Sequence, residues 1–151
     1  MKYKLSNSGK ERIKDILPIL IEVIVDSLAD ENCPDDFGIP QFGGLRTEAD
    51  QLGLYAIGRT IEMGRKPVTY TDGVQKKSNH QAKEDGYGHA FDVYIYDHET
   101  KRASWNVERL TKLATHIIKI ARDKGIKLEW GGNWTRFKDY PHFEYKGKYE
   151  L

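Results

Sequence analysis

Residues 78–97 read "SNHQAKEDGYGHAFDVYIYD", and the reading of that stretch decides the fold. Its second half alternates with the two-residue period of a strand: Phe91, Val93 and Ile95 fall on one face, and Ala90, Asp92, Tyr94 and Tyr96 on the other. If the three apolar residues face a core, Asp92 faces a cleft or solvent. The first half does not resemble an ordinary loop, because two histidines, His80 and His89, flank a run of charge and glycine. An isolated aspartate on a half-buried strand is commonly just exposed. The meaning of Asp92 therefore depends on what the rest of the chain brings to it.

The C-terminal stretch at 129–145, "EWGGNWTRFKDYPHFEY", is the place to look. Asp139 stands three residues before His142 among Trp130, Trp134, Phe137, Tyr140 and Phe143. One carboxylate and one imidazole in an apolar surround suit a catalytic or metal site, since a low dielectric strengthens both metal binding and proton transfer. Trp130 and Trp134 fit either the wall of a groove or a core. Glu144 shares the strand parity of His142, as a partner to that histidine or as a solvated residue.

Working outward, Ser8 and Glu11 have the S-x-x-E spacing of a capping box, and Ile13, Ile16, Leu17, Leu20, Ile21, Ile24 and Leu28 recur at helical intervals. One kinked helix or two short ones over 8–28 are expected, with Pro18 at the break. After a connection at 30–44 with a short strand near Phe37–Ile39, Thr47 and Asp50 cap a helix over 47–63. "VTYT" at 68–71 reads as a strand. Ser104 or Asn106 caps a further helix with a core stripe of Val107, Leu110, Ala114, Ile117 and Ala121, ended by Gly125. "IKLEW" and "HFEY" close the chain as strands.

Composition narrows the function. The chain has 151 residues, with 24 basic against 23 acidic side chains and a net charge of +1, so bulk electrostatics offers no reason to propose nucleic acid or a membrane surface as partner. The length suits one domain. A single cysteine, Cys33, forms no internal disulfide, so folding in a cytoplasm is the default. Pro18 and Glu22 interrupt the apolar stretch at 16–25, which reads as neither an export signal nor a membrane span.

Two imidazoles and one carboxylate, His80, Asp92 and His142, are a set suited to Zn2+ with a fourth position open. The motifs that carry them also carry a resemblance. "S-x-H" at Ser78–His80, "G-x-A-x-D" at Gly88–Asp92 and "D-x-P-H-F-E" at Asp139–Glu144 resemble the signature of zinc peptidases that cut peptidoglycan stem peptides: the D-alanyl-D-alanine dipeptidases and carboxypeptidases, and the single-domain L-alanyl-D-glutamate endopeptidases used as phage endolysins. "GLRTEADQLGLYAIGRT" and "WGGNWTRFKDYPHFE" resemble further blocks of the endolysin subgroup, so the likeness runs from about Leu17 to Tyr145.

The resemblance implies an α+β fold of the hedgehog and DD-peptidase type, a small antiparallel sheet carrying the zinc site with helices packed around it, as one peptidase domain over 1–151 without a separate wall-binding domain. It implies His80, Asp92 and His142 as metal ligands, Asp139 as general base and Arg46, in "GGLRT", as the oxyanion's partner. The aspartate at 139, where relatives also use glutamate, points to the endopeptidase subgroup. One departure concerns spacing: much of the family has its first histidine seven residues before the aspartate, the position of Asp85, whereas His80 lies twelve before Asp92. A five-residue insertion within "QAKEDGY" reconciles the two, because a surface excursion adds little loop entropy. His89 is a weaker rival at an odd separation from Asp92, and His98 and His116 read as surface residues.

The expected activity is hydrolysis of the L-alanyl-D-glutamate bond of the bacterial stem peptide by a monomeric phage or prophage lysin, held in the host cytoplasm until a holin releases it. The alternatives are a D-alanyl-D-alanine carboxypeptidase and a zinc-containing domain that binds without catalysis.

Overall fold

The structure, a computed structural model, describes residues 1–149. The first apolar run forms two helices, α1 (Asn7–Ile13) and α2 (Pro18–Ala29). Pro18 takes the first position of α2, where its missing N–H costs nothing and its fixed φ suits a helix start. The cap of α1 differs from the expectation by two residues. Ser6, in extended conformation, accepts from the Gly9 amide, and Ser8 lies inside the helix.

A two-residue strand, β1 (Phe37–Gly38), leads to α3 (Glu48–Ala56). Thr47 and Asp50 make the expected reciprocal cap, but α3 ends at Ala56, well short of residue 63. Gly58 adopts φ +81°, a left-handed conformation that stops the helix, and the chain curls back to pair Ile57 with Ile61. The expected strand at 68–71 does not form. Val68 and Tyr70 are exposed there and the backbone finds no sheet edge to pair with, so strand propensity has nothing to act on.

The run at 90–97 is divided between two sheets. β2 (Ala90–Asp92) pairs with β6 (His142–Lys148), which pairs with β5 (Ile126–Trp130), while β3 (Tyr94–Asp97) lies between β1 and β4 (Arg102–Ser104). The strand pairings within both sheets are antiparallel. At the crossover Val93 donates its amide to the Pro141 carbonyl, outside either ladder. The alternation holds through the switch: Phe91, Val93 and Ile95 are fully buried.

Between β4 and β5 runs α4 (Val107–Asp123), capped by Asn106 and closed by Gly125 at φ +76°. Leu110, Ala114, Ile117 and Ala121 enter the core as expected; Val107, in the first turn, is exposed. Leu113 and His116 widen the buried stripe. His116 is thus buried and not on the surface, with Nε2 at 2.9 Å from the Ser27 carbonyl of α2. The core gathers α2 and α4 against β2, β3 and β5, and Phe91 stacks on Phe143 across the β2–β6 pair at 5.1 Å. Among the described residues no helix is long and apolar enough to cross a membrane.

Candidate metal centre

The β2–β6 register sets Asp92 directly opposite His142, and Phe91 opposite Phe143. Side chains of directly paired residues share a face. The same ladder that buries the two phenylalanines therefore presents the aspartate and the histidine together on the other side. His80 arrives from a segment without regular elements, and its approach is fixed by backbone: Arg46 donates its amide to the His80 carbonyl at 2.8 Å, and His80 Nδ1 lies 2.9 Å from the Gly44 carbonyl. Gly44 is required there, since a Cβ would collide with the Arg12 carbonyl at the end of α1.

The three side chains converge. His80 Nε2 lies 3.1 Å from His142 Nδ1 and 3.3 Å from Asp92 Oδ1, and His142 Nδ1 lies 3.0 Å from the same oxygen. Partners on the far side of each ring decide which nitrogens carry protons. The Gly44 carbonyl can only accept, so it takes a proton from His80 Nδ1 and leaves Nε2 with its lone pair. The Glu144 carboxylate, 2.8 Å from His142 Nε2, likewise leaves Nδ1 with its lone pair. With both rings neutral, two imidazole lone pairs and a carboxylate oxygen thus face one point. Three ligands of a tetrahedral zinc stand about 3.3 Å apart, so both chemistry and spacing fit a divalent cation.

The surrounding charges match this arrangement. Burial raises the cost of charging Asp92, yet His80 and His142 outweigh it and hold its carboxyl well below the usual range. Burial lowers the His80 pKa, favouring the neutral ligand form. For His142 burial acts in the same direction, but the bonds to Asp92 and Glu144 prevail and raise it to about 10. Glu144 is drawn down to about 2 against its own burial by His142 and Lys146. Its second oxygen accepts from Asn79 at 2.8 Å, which ties the His80 segment to β6.

The residues around this centre fall as follows. Arg46 Nη2 reaches Asp92 Oδ2 at 3.0 Å, occupying the oxygen turned away from the histidines. Asp139 is half-buried on the loop between β5 and β6, and its carboxylate makes no hydrogen bond or ion pair among the described residues. Burial and the Asp92 charge push it up to about 6. Trp134 packs its ring 5.2 Å from that of His142, while Trp130 is buried and donates to the Tyr140 carbonyl. Ser78 serves the turn, its hydroxyl accepting the His80 amide. Asp85 and His89 pair with each other at 2.7 Å on the surface, apart from the cluster, and His98 is exposed beside Asp36. The sequence alone left Glu144 undecided; its parity with His142 was the signal. Nothing in the sequence marked the Gly44 carbonyl, which acts through backbone.

A protein-family model described as D-alanyl-D-alanine carboxypeptidase matches residues 71–145. That span holds the three converging side chains, Asp139 and Glu144, and stops short of Arg46. The peptidoglycan L-alanyl-D-glutamate endopeptidase CwlK of Bacillus subtilis is 32% identical over 108 residues, 67% of this chain and 56% of the relative. The chain thus spans a little over half the length of that relative. Among solved structures, the Serratia marcescens L-Ala D-Glu endopeptidase ChiX superposes with a TM-score of 0.68 at 25% identity, covering 96% of this chain and 91% of the other.

Proposed function

We propose that the chain, whose residues 71–145 match the D-alanyl-D-alanine carboxypeptidase family model, is a zinc peptidase hydrolysing the L-alanyl-D-glutamate bond of peptidoglycan stem peptides. The observation that carries the reading is the convergence of three potential ligand atoms, His80 Nε2, Asp92 Oδ1 and His142 Nδ1, at mutual distances of 3.0–3.3 Å. The relatives named for L-Ala-D-Glu cleavage support the choice of bond.

When bound, zinc would supply Lewis acidity, bringing the pKa of a water to about 7 and polarising a carbonyl. The remaining work belongs to the chain. The Asp139 carboxylate, raised to about 6 and without another partner among the described residues, takes a proton from the attacking water as the water oxygen bonds to the L-alanyl carbonyl carbon. It returns that proton to the D-glutamyl nitrogen as the C–N bond breaks. Arg46 spends one Nη2 proton on Asp92, and its guanidinium stays charged, so a remaining N–H is suited to the oxygen on which negative charge develops. Glu144 and the Gly44 carbonyl keep both imidazoles in the tautomer that turns a lone pair inward.

Mass spectrometry of muropeptides incubated with the protein, before chelation, after it and after zinc is restored, tests the reading. Chelator-sensitive fragments ending at L-alanine are expected. Loss of a single terminal D-alanine would transfer the assignment to the carboxypeptidase activity in the family model's description. Unchanged masses with zinc bound would leave a binding domain. The proposal extends to a monomeric phage or prophage lysin released from the host cytoplasm by a holin; lysis of expressing cells only when a holin is co-expressed is the expected result.

A further inference from the structure

We propose that Gln51 is a positioning residue of the metal centre, holding the Arg46 guanidinium on Asp92 and fastening the stretch at 69–73 to the same point. Gln51 is fully buried, on a helix whose other residues are at least partly exposed. An amide withdrawn from water must find partners inside the protein, and these lie in two directions. Its Oε1 accepts from Arg46 Nη1 at 3.1 Å, and its Nε2 donates to the Thr71 carbonyl at 2.7 Å and to Thr69 Oγ1 at 3.3 Å. Arg46 then reaches Asp92 Oδ2 through its other terminal nitrogen.

The geometry explains why such a residue is needed. A guanidinium beside a ligating carboxylate can draw on both oxygens, and an Asp92 with both oxygens drawn toward Arg46 would present no lone pair to the histidines. Gln51 takes up Nη1, the Phe42 carbonyl takes up Nε at 2.8 Å, and Nη2 is thereby directed to Oδ2, leaving Oδ1 for the convergent cluster. The loop is fitted to the same amide. Gly73 sits at φ +85°, where a Cβ would press on the Gln51 stem, and its carbonyl accepts from Gln81, the neighbour of His80. Two buried glutamines therefore dock the segment that carries exposed Tyr70, one through the partner of Asp92 and one beside His80.

The consequence for metal binding stands on the donor geometry alone; the consequence for turnover rests on the peptidase reading. The test measures zinc affinity of the metal-free protein with a competing chelator dye, and kcat and KM of the zinc-loaded protein on a stem peptide. Gln51→Met, which keeps length and packing, is expected to weaken zinc about 10-fold, to lower kcat, and to add nothing once Arg46→Ala is present. Gln51→Glu keeps an acceptor for Arg46 but no donor for Thr71, so zinc affinity is retained while KM rises. A lower Tm with unchanged zinc affinity in Gln51→Met, or an equal loss with and without Arg46, would overturn the proposal. Should Gln51→Met fail to fold, Gln51→Glu decides: a raised KM at wild-type zinc affinity supports it, and an unchanged KM sinks it. A wild-type protein inert toward every stem peptide would end the peptidase reading, and the zinc titrations would still decide the role of Gln51.

Discussion

Asp92 and Asp97 lie five residues apart on one run of extended chain, and each is surrounded by ionisable groups. Asp97, on the β3 side of the switch at Val93, belongs to a set that satisfies itself. Arg109 forks onto Asp35 at 2.7 and 3.1 Å and reaches Asp97 at 3.1 Å, and His98 meets Asp36 at 2.9 Å. Asp92, on the β2 side, has the Arg46 guanidinium on its outer oxygen, while its inner oxygen faces one nitrogen of each of two imidazoles. The contrast separates two kinds of charge cluster: in the first each carboxylate has its own cationic or imidazole partner, and in the second two imidazole nitrogens and a carboxylate oxygen crowd onto one point, the arrangement a divalent cation would suit.

The largest effect expected from breaking this contrast is at the candidate ligands. His80→Ala should reduce zinc affinity by well over the roughly 100-fold that loss of an outer partner reaches and should abolish peptide cleavage, while Asp85→Ala leaves both near wild type. Zinc titration and cleavage assays on the two variants decide whether the chain carries an insertion before Asp92; the reverse outcome would place the first ligand at Asp85. Next comes Asp139→Asn, which removes the proposed proton acceptor and leaves the three candidate ligands intact. A kcat loss on the order of 10²–10⁴-fold with zinc still bound is expected, and a small loss would mean that another group takes the proton. Glu144→Gln should cost less, about 10–100-fold in zinc affinity, because the amide can offer the His142 ring a donor where the carboxylate offers only acceptors. An unchanged affinity would show that the strand alone fixes the tautomer.

These outcomes bear on how much of the molecule could be read from its residues. Asp92 and His142 were legible because a strand period and a short motif each fixed a face, and antiparallel pairing then set the two faces together. His80 was legible only from the Ser-x-His element, since its position depends on contacts to Gly44 and Arg46 that have no local period. The same limit explains two of the misses. The stretch at 68–71 has strand-forming residues but no partner edge, and His116 is buried against the Ser27 carbonyl of another helix, so both depend on partners remote in sequence. The end of α3 is local: Gly58, inside the expected helix, takes a left-handed conformation and turns the chain back on itself. The switch at Val93 belongs here too: the alternation of 90–96 is continuous through it, and only the competing carbonyl of Pro141 shows that one pattern serves two sheets.

The smallest effect is expected on the self-satisfied side, and it serves as the control. Arg109→Ala should leave zinc affinity and cleavage untouched and lower Tm by about 2–4 °C, the scale for losing a partly exposed pair in a chain of this length. The pH dependence has a definite sign. Asp97 is held below the ordinary carboxylate range, first by the Glu99 backbone amide and further by those of Thr100 and by Arg109. A carboxylate so depressed contributes stability that is present above its unfolded pKa of about 4 and is lost as pH falls through the lower folded value. The Tm gap between wild type and Arg109→Ala should therefore be full at neutral pH and close below pH ~4, where the carboxylates bind protons and the arginine has no charge left to meet. A gap that persists in acid would show that Arg109 acts through the packing of its stem and not through Asp35 and Asp97. A loss of zinc affinity in this variant would show that the two clusters communicate through β2 and β3, and the division at Val93 would not isolate them.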